Sequence, residues 1–170
     1  MSRGVPVLRA GRGTTLGLVC LLALAAAAAR AADAPAVQFA DGAASFQANC
    51  AVCHGATGGG VPSLAPPLTS YPARYAASPE GRRQLAMTVL YGLFGEITVD
   101  DKHFDFKMPD FGRLDDATLA ATLNFVVFDL GHAPAGVKPL SAAEVAAERA
   151  QPLDGAGVRA HRKTVAPAAP

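Results

Sequence analysis

The pentapeptide Cys50-Ala51-Val52-Cys53-His54 restricts this chain more than any other stretch of it. On a helical turn, two cysteines at this spacing bring their sulfurs to one side, and the histidine that follows projects its imidazole beside them. In this pattern two thiols add to the vinyl groups of a haem while the adjoining histidine meets the iron, which makes Cys50 and Cys53 the tether and His54 an axial ligand of one covalently bound haem c. Other uses of these residues fit less well. A structural zinc site takes about four Cys or His ligands, and no second cluster follows. A thioredoxin-like dithiol belongs beside a strand–helix–strand pattern, and the sequence shows no run of strands. A plain disulfide is geometrically awkward at this spacing and gives the histidine no role.

The N-terminal segment points to export. Residues 1–31 carry Arg3, Arg9, Arg12 and Arg30 and no acidic residue, with an apolar stretch from Leu16 to Ala29 leading into small residues around Ala31. That stretch has 14 residues, whereas a membrane-spanning helix needs about 20. Residues 1–31 therefore read as a signal peptide cleaved near Ala31 or Ala32, with an uncleaved N-terminal anchor as the competing reading. Cys20 lies inside the segment, after Val19 rather than a small residue, and would leave with it. The mature chain is then expected in the periplasm, without a membrane span. It keeps 11 basic and 14 acidic residues, of which residues 32–131 hold 6 and 11 and residues 132–170 hold 5 and 3. An acidic body with a basic tail argues against a nucleic-acid partner. At 51% apolar and 17% charged residues, the composition excludes a wholly disordered chain.

An iron that only carries electrons takes a ligand on its other face as well. Outside the leader the methionines are Met87 and Met108. Met87 lies where Leu85, Val89 and Leu93 recur at helical spacing, which makes it core. Met108 follows the polar segment Asp100–Lys107 and precedes Pro109, whose fixed φ and missing N–H hold a loop. A loop thioether of this kind can point at iron, so Met108 is the expected sixth ligand, with His103 as the alternative.

In Cys50-x-x-Cys53-His54, in Met108-Pro109, and in Gly42 and Phe46 ahead of Cys50, the sequence resembles the class I c-type cytochromes, the monohaem proteins of bacterial periplasms. The resemblance covers about residues 37–131. It implies an all-α fold of three main helices and loops around one haem, with the first helix packed on the last. It also implies that the loop from Gly58 to Leu68 supplies a proline carbonyl to the proximal histidine, here Pro66. Residues 32–131 are then the cytochrome c domain and residues 132–170 a C-terminal extension.

The helices can be read independently. Asp41 is a candidate cap for a first helix running into Cys50, with Phe46 on its buried face. Ser78-Pro79-Glu80 signals a second helix that fades by Gly92. Asp115 caps a third, in which Leu119, Leu123, Val126 and Leu130 form the apolar stripe before Gly131, and Phe125 is placed to meet Phe46. In the extension, Pro139–Arg149 is echoed 13 positions later by Pro152–Arg162. Ser141 and Glu144 form a capping-box pattern, so the first half is expected to be helical; the glycines weaken the second, residues 164–170 read as disordered, and His132 and His161 read as solvated. The expected function is electron transfer between a donor and an acceptor protein through transient contacts. Two alternatives stay open: a haem subunit of a periplasmic dehydrogenase or oxidase complex, and a haem enzyme in which Met108 does not bind iron.

Overall fold

The computed structural model describes residues 37–165; the leader 1–31, the residues 32–36 that follow it and residues 166–170 lie outside them. Helix α1 (Ala40–Asn49) runs into a short helix α2 (Ala51–His54), with the break at Cys50. After the loop come α3 (Tyr71–Ala76) and α4 (Pro79–Tyr91), then strands β1 (Ile97–Val99) and β2 (Lys102–Phe104). Helix α5 (Asp116–Asn124) continues as a π-helical segment (Phe125–Leu130), and α6 (Ala142–Arg149) and α7 (Gly155–Thr164) follow.

Local chemistry sets most of these boundaries. Ser78 accepts a hydrogen bond from Gly81 N at 3.1 Å with Pro79 in the first turn, and α4 stops at Gly92. Asp115 accepts from Thr118 N and Thr118 Oγ1, both at 2.8 Å, and these bonds hold its carboxyl below the ordinary range. Helix α1 starts differently from the sequence expectation. Asp41 is not its cap; instead the Asp129 carboxylate, far along the chain, accepts from Gln38 N at 2.6 Å and Phe39 N at 3.1 Å. A negative group at a helix start is favourable whichever segment supplies it, and here the closing helix does so.

Helix α1 crosses α5 closely. A Cβ on Gly42 would lie 2.0 Å from the Ala121 carbonyl oxygen, so only a glycine permits the approach. Phe46, fully buried, meets Phe125 at a ring separation of 5.4 Å. A second cluster joins α4, α5 and α6 through Leu90, Leu119, Leu123, Val127, Leu140 and Val145. A third gathers Met87, Leu93 and Val158. Met87 is thus core.

Two features were not expected. The segment read as a polar loop contains an antiparallel hairpin in which Val99 pairs with Lys102. Asp100 and Asp101 turn it with φ of 47° and 60°, a conformation short acidic side chains tolerate. The second half of the tail repeat forms α7 despite its glycines, and the helix includes Thr164. Asp154 caps it through Gly157 N at 2.7 Å, and Val158 is fully buried. Tertiary burial outweighs weak propensity here. His161 is not simply solvated: its Nδ1 lies 2.7 Å from Gln84 Oε1. His132 is exposed.

Residues 132–165 are bound into this unit by polar clamps. The Asn124 amide donates to Leu140 O at 2.9 Å and accepts from Leu140 N at 2.7 Å. Arg82 donates to the Lys138 and Pro139 carbonyls and grips Glu144 with N–O distances of 2.6 and 3.0 Å. Arg82, together with Ser141 N–H and O–H donors, draws the Glu144 carboxyl from an ordinary 4.5 down to about 2. A carboxyl depressed by folding adds stability above its unfolded pKa, and that stability is lost as pH falls through the folded value. Wild type should therefore lose stability between about pH 4.5 and pH 2 through this group. Glu144→Gln should remove on the order of 1 kcal/mol at pH 7, after allowance for solvent screening, with the deficit shrinking toward pH 2. Denaturant titrations of both proteins at several pH values check this; a pH-independent difference contradicts it.

Candidate functional site

The two ends of the pentapeptide are fixed by one helical turn. Cys53 N and His54 N both donate to Cys50 O, at 3.1 and 3.0 Å, and Gly55 ends the turn with φ of 78°. The chain then doubles back. Val61 and Ala65 exchange two backbone hydrogen bonds, at 2.9 and 3.0 Å, Gly60 N donates to His54 O at 2.8 Å, and Leu68 N donates to Gly58 O at 2.7 Å. This tied loop brings the Pro66 carbonyl to 2.9 Å from His54 Nδ1.

That contact settles how the imidazole is arranged. A carbonyl oxygen only accepts, so Nδ1 carries the proton and donates it, and the Nε2 of a neutral ring keeps its lone pair. Burial of His54 lowers its pKa, against a smaller upward pull from the Pro66 hydrogen bond, so the neutral ring is favoured. Its Nε2 has no hydrogen-bond partner among the described residues. Cys50 and Cys53 form no disulfide and are both half-buried. Burial, reinforced by the neighbouring Cys53, pushes the Cys50 thiol up to about 11.

Met108 reaches the same cleft from a different segment. Met108 N donates to Leu93 O at 2.9 Å and Leu93 N to Met108 O at 3.1 Å, a two-bond bridge that pins the methionine loop to the end of α4. Phe111 N adds a bond to Val89 O at 2.8 Å. Gly92 makes the approach possible, since its φ is 73° and a Cβ there would lie 2.4 Å from Met108 O. Arg149 of α6 braces the same loop by donating to Gly112 O at 2.6 Å and Leu114 O at 2.7 Å while pairing with Asp116.

Cys50, Cys53, His54, Pro66 and Met108 all line one cleft. Most of its other walls are apolar, formed by residues such as Leu68, Val89, Leu93, Phe104, Leu123 and Val126, with Asn49, Thr88 and Lys107 among the polar residues that border it. His103 does not line it; it stands exposed on β2 with Nδ1 at 2.6 Å from Glu96. Among the described residues no group of three or more His, Cys, Asp or Glu side chains is arranged to hold a metal ion by itself. The groups gathered there fit a porphyrin instead: two thiols, an imidazole nitrogen without a protein partner, a thioether, and mainly apolar walls. Sequence reasoning missed the polar corner of the cleft, where Tyr71, Tyr75, Gln84 and Arg162 converge from α3, α4 and α7. Only the repeat that places Arg162 in the position of Arg149 hinted at it.

Comparison with known proteins agrees with this geometry. The family model described as cytochrome c matches residues 39–127. Cytochrome c-552 of Thermus thermophilus is 40% identical over 126 residues, which cover 73% of this chain and 95% of that protein. A second cytochrome c-552, from a particular strain of Thermus thermophilus, is also 40% identical, over 73% of this chain and 84% of its own length. A mainly helical fold closed around a cleft that presents two thiols and a histidine, together with these matches, shows that the chain belongs to the cytochrome c family and carries one covalently bound haem c.

Proposed function

We propose that this protein is an exported electron carrier of the class I kind, in which His54 and Met108 are the two axial ligands of a single haem held by Cys50 and Cys53. Haem-mediated electron transfer follows from the family; the ligand pair and the periplasmic setting are our reading. The observation that carries it is that His54, with Nδ1 committed to Pro66, and Met108, pinned to Leu93, line one apolar cleft from separate segments.

Haem supplies a one-electron iron couple. The protein's part is to keep both ligands in place in either oxidation state. The Pro66 carbonyl fixes the tautomer and orientation of the imidazole and raises its basicity. The Leu93 bridge and the Arg149 brace hold the thioether, so little moves when the charge changes. A methionine ligand and burial in an apolar shell both favour the reduced state and raise the potential. With both axial positions filled, no site is left for a substrate, which supports a carrier rather than an enzyme. Val52 and Phe106 line the cleft at 82% and 60% exposure, which gives a partner protein apolar side chains to meet beside the haem. Helices α6 and α7 are engaged with α4 and α5 of this same domain, which supports a free carrier over a subunit that docks through its tail. Residues 1–31 supply the export signal and are removed near Ala31 or Ala32.

Two variants test the ligand assignment. Met108→Ala should abolish the red-end absorption band of methionine-ligated ferric haem, let the reduced protein bind carbon monoxide rapidly, and lower the potential by more than about 60 mV, a tenfold change in a one-electron equilibrium. Gly92→Ala keeps every ligand but strains the Met108 backbone; it should weaken the same band and cost about 2–4 kcal/mol of stability. An unchanged spectrum in Met108→Ala, or rapid carbon monoxide binding by reduced wild type, contradicts the assignment.

A further inference from the structure

We infer that Arg162, carried into the cleft by the C-terminal helix α7, is the counter-charge for a carboxylate of the bound haem, and that α7 thereby belongs to the haem site and raises its reduction potential. The inference rests on the haem reading above and concerns a residue beyond the stretch matched by the cytochrome c family model.

Arg162 is the arginine that lines the cleft; Arg113 and Arg159, which like it lack a carboxylate partner among the described residues, do not line it. Arg74, Arg82, Arg83 and Arg149 each pair with a carboxylate at 3.1 Å or less. Arg162 has no carboxylate partner among the described residues. Its guanidinium donates to the Thr98 carbonyl at 3.2 Å and lies 5.0 Å from the centroid of the Tyr71 ring. Partial burial of the group, with nothing anionic opposite, pulls its pKa downward. A carbonyl and a ring face compensate a desolvated cation only in part.

The place where this cation sits supplies the missing partner. Arg162 lines the cleft with Tyr71, Tyr75 and Gln84, a polar corner of a mainly apolar space. The Tyr71 hydroxyl is 3.0 Å from that of Tyr75, so hydroxyl groups and a guanidinium fork gather at one end. Haem is apolar across its ring and anionic at its two carboxylates; mainly apolar walls and one corner where hydroxyls and a guanidinium meet match that division, while the other cation on the lining, Lys107, lies over the Phe94 ring at 4.3 Å. The corner is assembled from three elements. Helix α7 is fixed against α4 by the His161–Gln84 hydrogen bond at 2.7 Å and by Val158, which is fully buried. A cation close to the iron disfavours the additional positive charge of the ferric state.

Spectroelectrochemical titration of the holoprotein at fixed pH and salt tests this with three variants. Arg162→Gln should shift the one-electron equilibrium at least threefold toward ferric, about 28 mV at 59 mV per tenfold, with the methionine band intact. Arg162→Lys should recover more than half of that shift. Lys163→Gln removes the same charge from the exposed neighbouring position and should move the potential by less than half as much. An Arg162→Gln potential equal to wild type, or a Lys163→Gln shift as large as that of Arg162→Gln, overturns the inference. If Arg162→Gln does not fold, the infrared redox-difference spectrum of Arg162→Lys decides: the haem carboxylate stretch should move when a guanidinium becomes an ammonium, and an identical stretch overturns the inference. Loss of covalent haem or of the methionine band in wild type would instead strike the reading on which this rests.

Discussion

The bond pair from Cys50 and Cys53 to one haem is the constraint around which the rest of the molecule is arranged. Among the described residues, buried apolar side chains form three clusters. Members of each, among them Leu123, Val126 and Leu93, also face the cleft that holds the two thiols. A tethered porphyrin gives these walls a common surface to pack on. Because attachment is confined to one helical turn, His54 needs only a single orienting hydrogen bond, from its own Nδ1 to Pro66, to stand in place.

The far side of the cleft is more elaborately supported, because a loop methionine has no such tether. Gly92 lets the backbone of Met108 come close, Leu93 bonds to it twice, and Arg149 grips the residues that follow. Arg149 belongs to the C-terminal helices, and so does Arg162, which occupies the same place in the 13-residue repeat. Each half of that repeat thus sends an arginine toward the site, one to the methionine loop and one to the cleft itself. Asn124 and Arg82 hold the connecting segment against α4 and α5. The tail is therefore part of the structure that braces the loop after Met108.

What could be read from the chain alone was local chemistry. The pentapeptide, the methionine before Pro109 and the caps at Ser78, Asp115 and Ser141 each depend on residues within a few positions of one another. So did the Phe46–Phe125 contact once two helices were assumed. The missing parts depend on distant partners. Asp129 meets the start of α1 about 90 positions away in sequence. The strands at 97–99 and 102–104 are too short for alternation to show, and α7 forms because Val158 and His161 pack on other elements. The π-helical widening at Phe125–Leu130 carries no sequence signature that distinguishes it from α-helix.

These features describe a protein whose fold is built around one haem-bearing cleft, with the exposed apolar side chains of Val52 and Phe106 on its lining. The intact mass of the exported protein, taken after denaturation and treatment with a thiol alkylator, tests the central claim most directly. The account predicts a polypeptide beginning near residue 32, heavier by one haem, with neither Cys50 nor Cys53 alkylated. A mass equal to that of the bare chain with both thiols modified would contradict it.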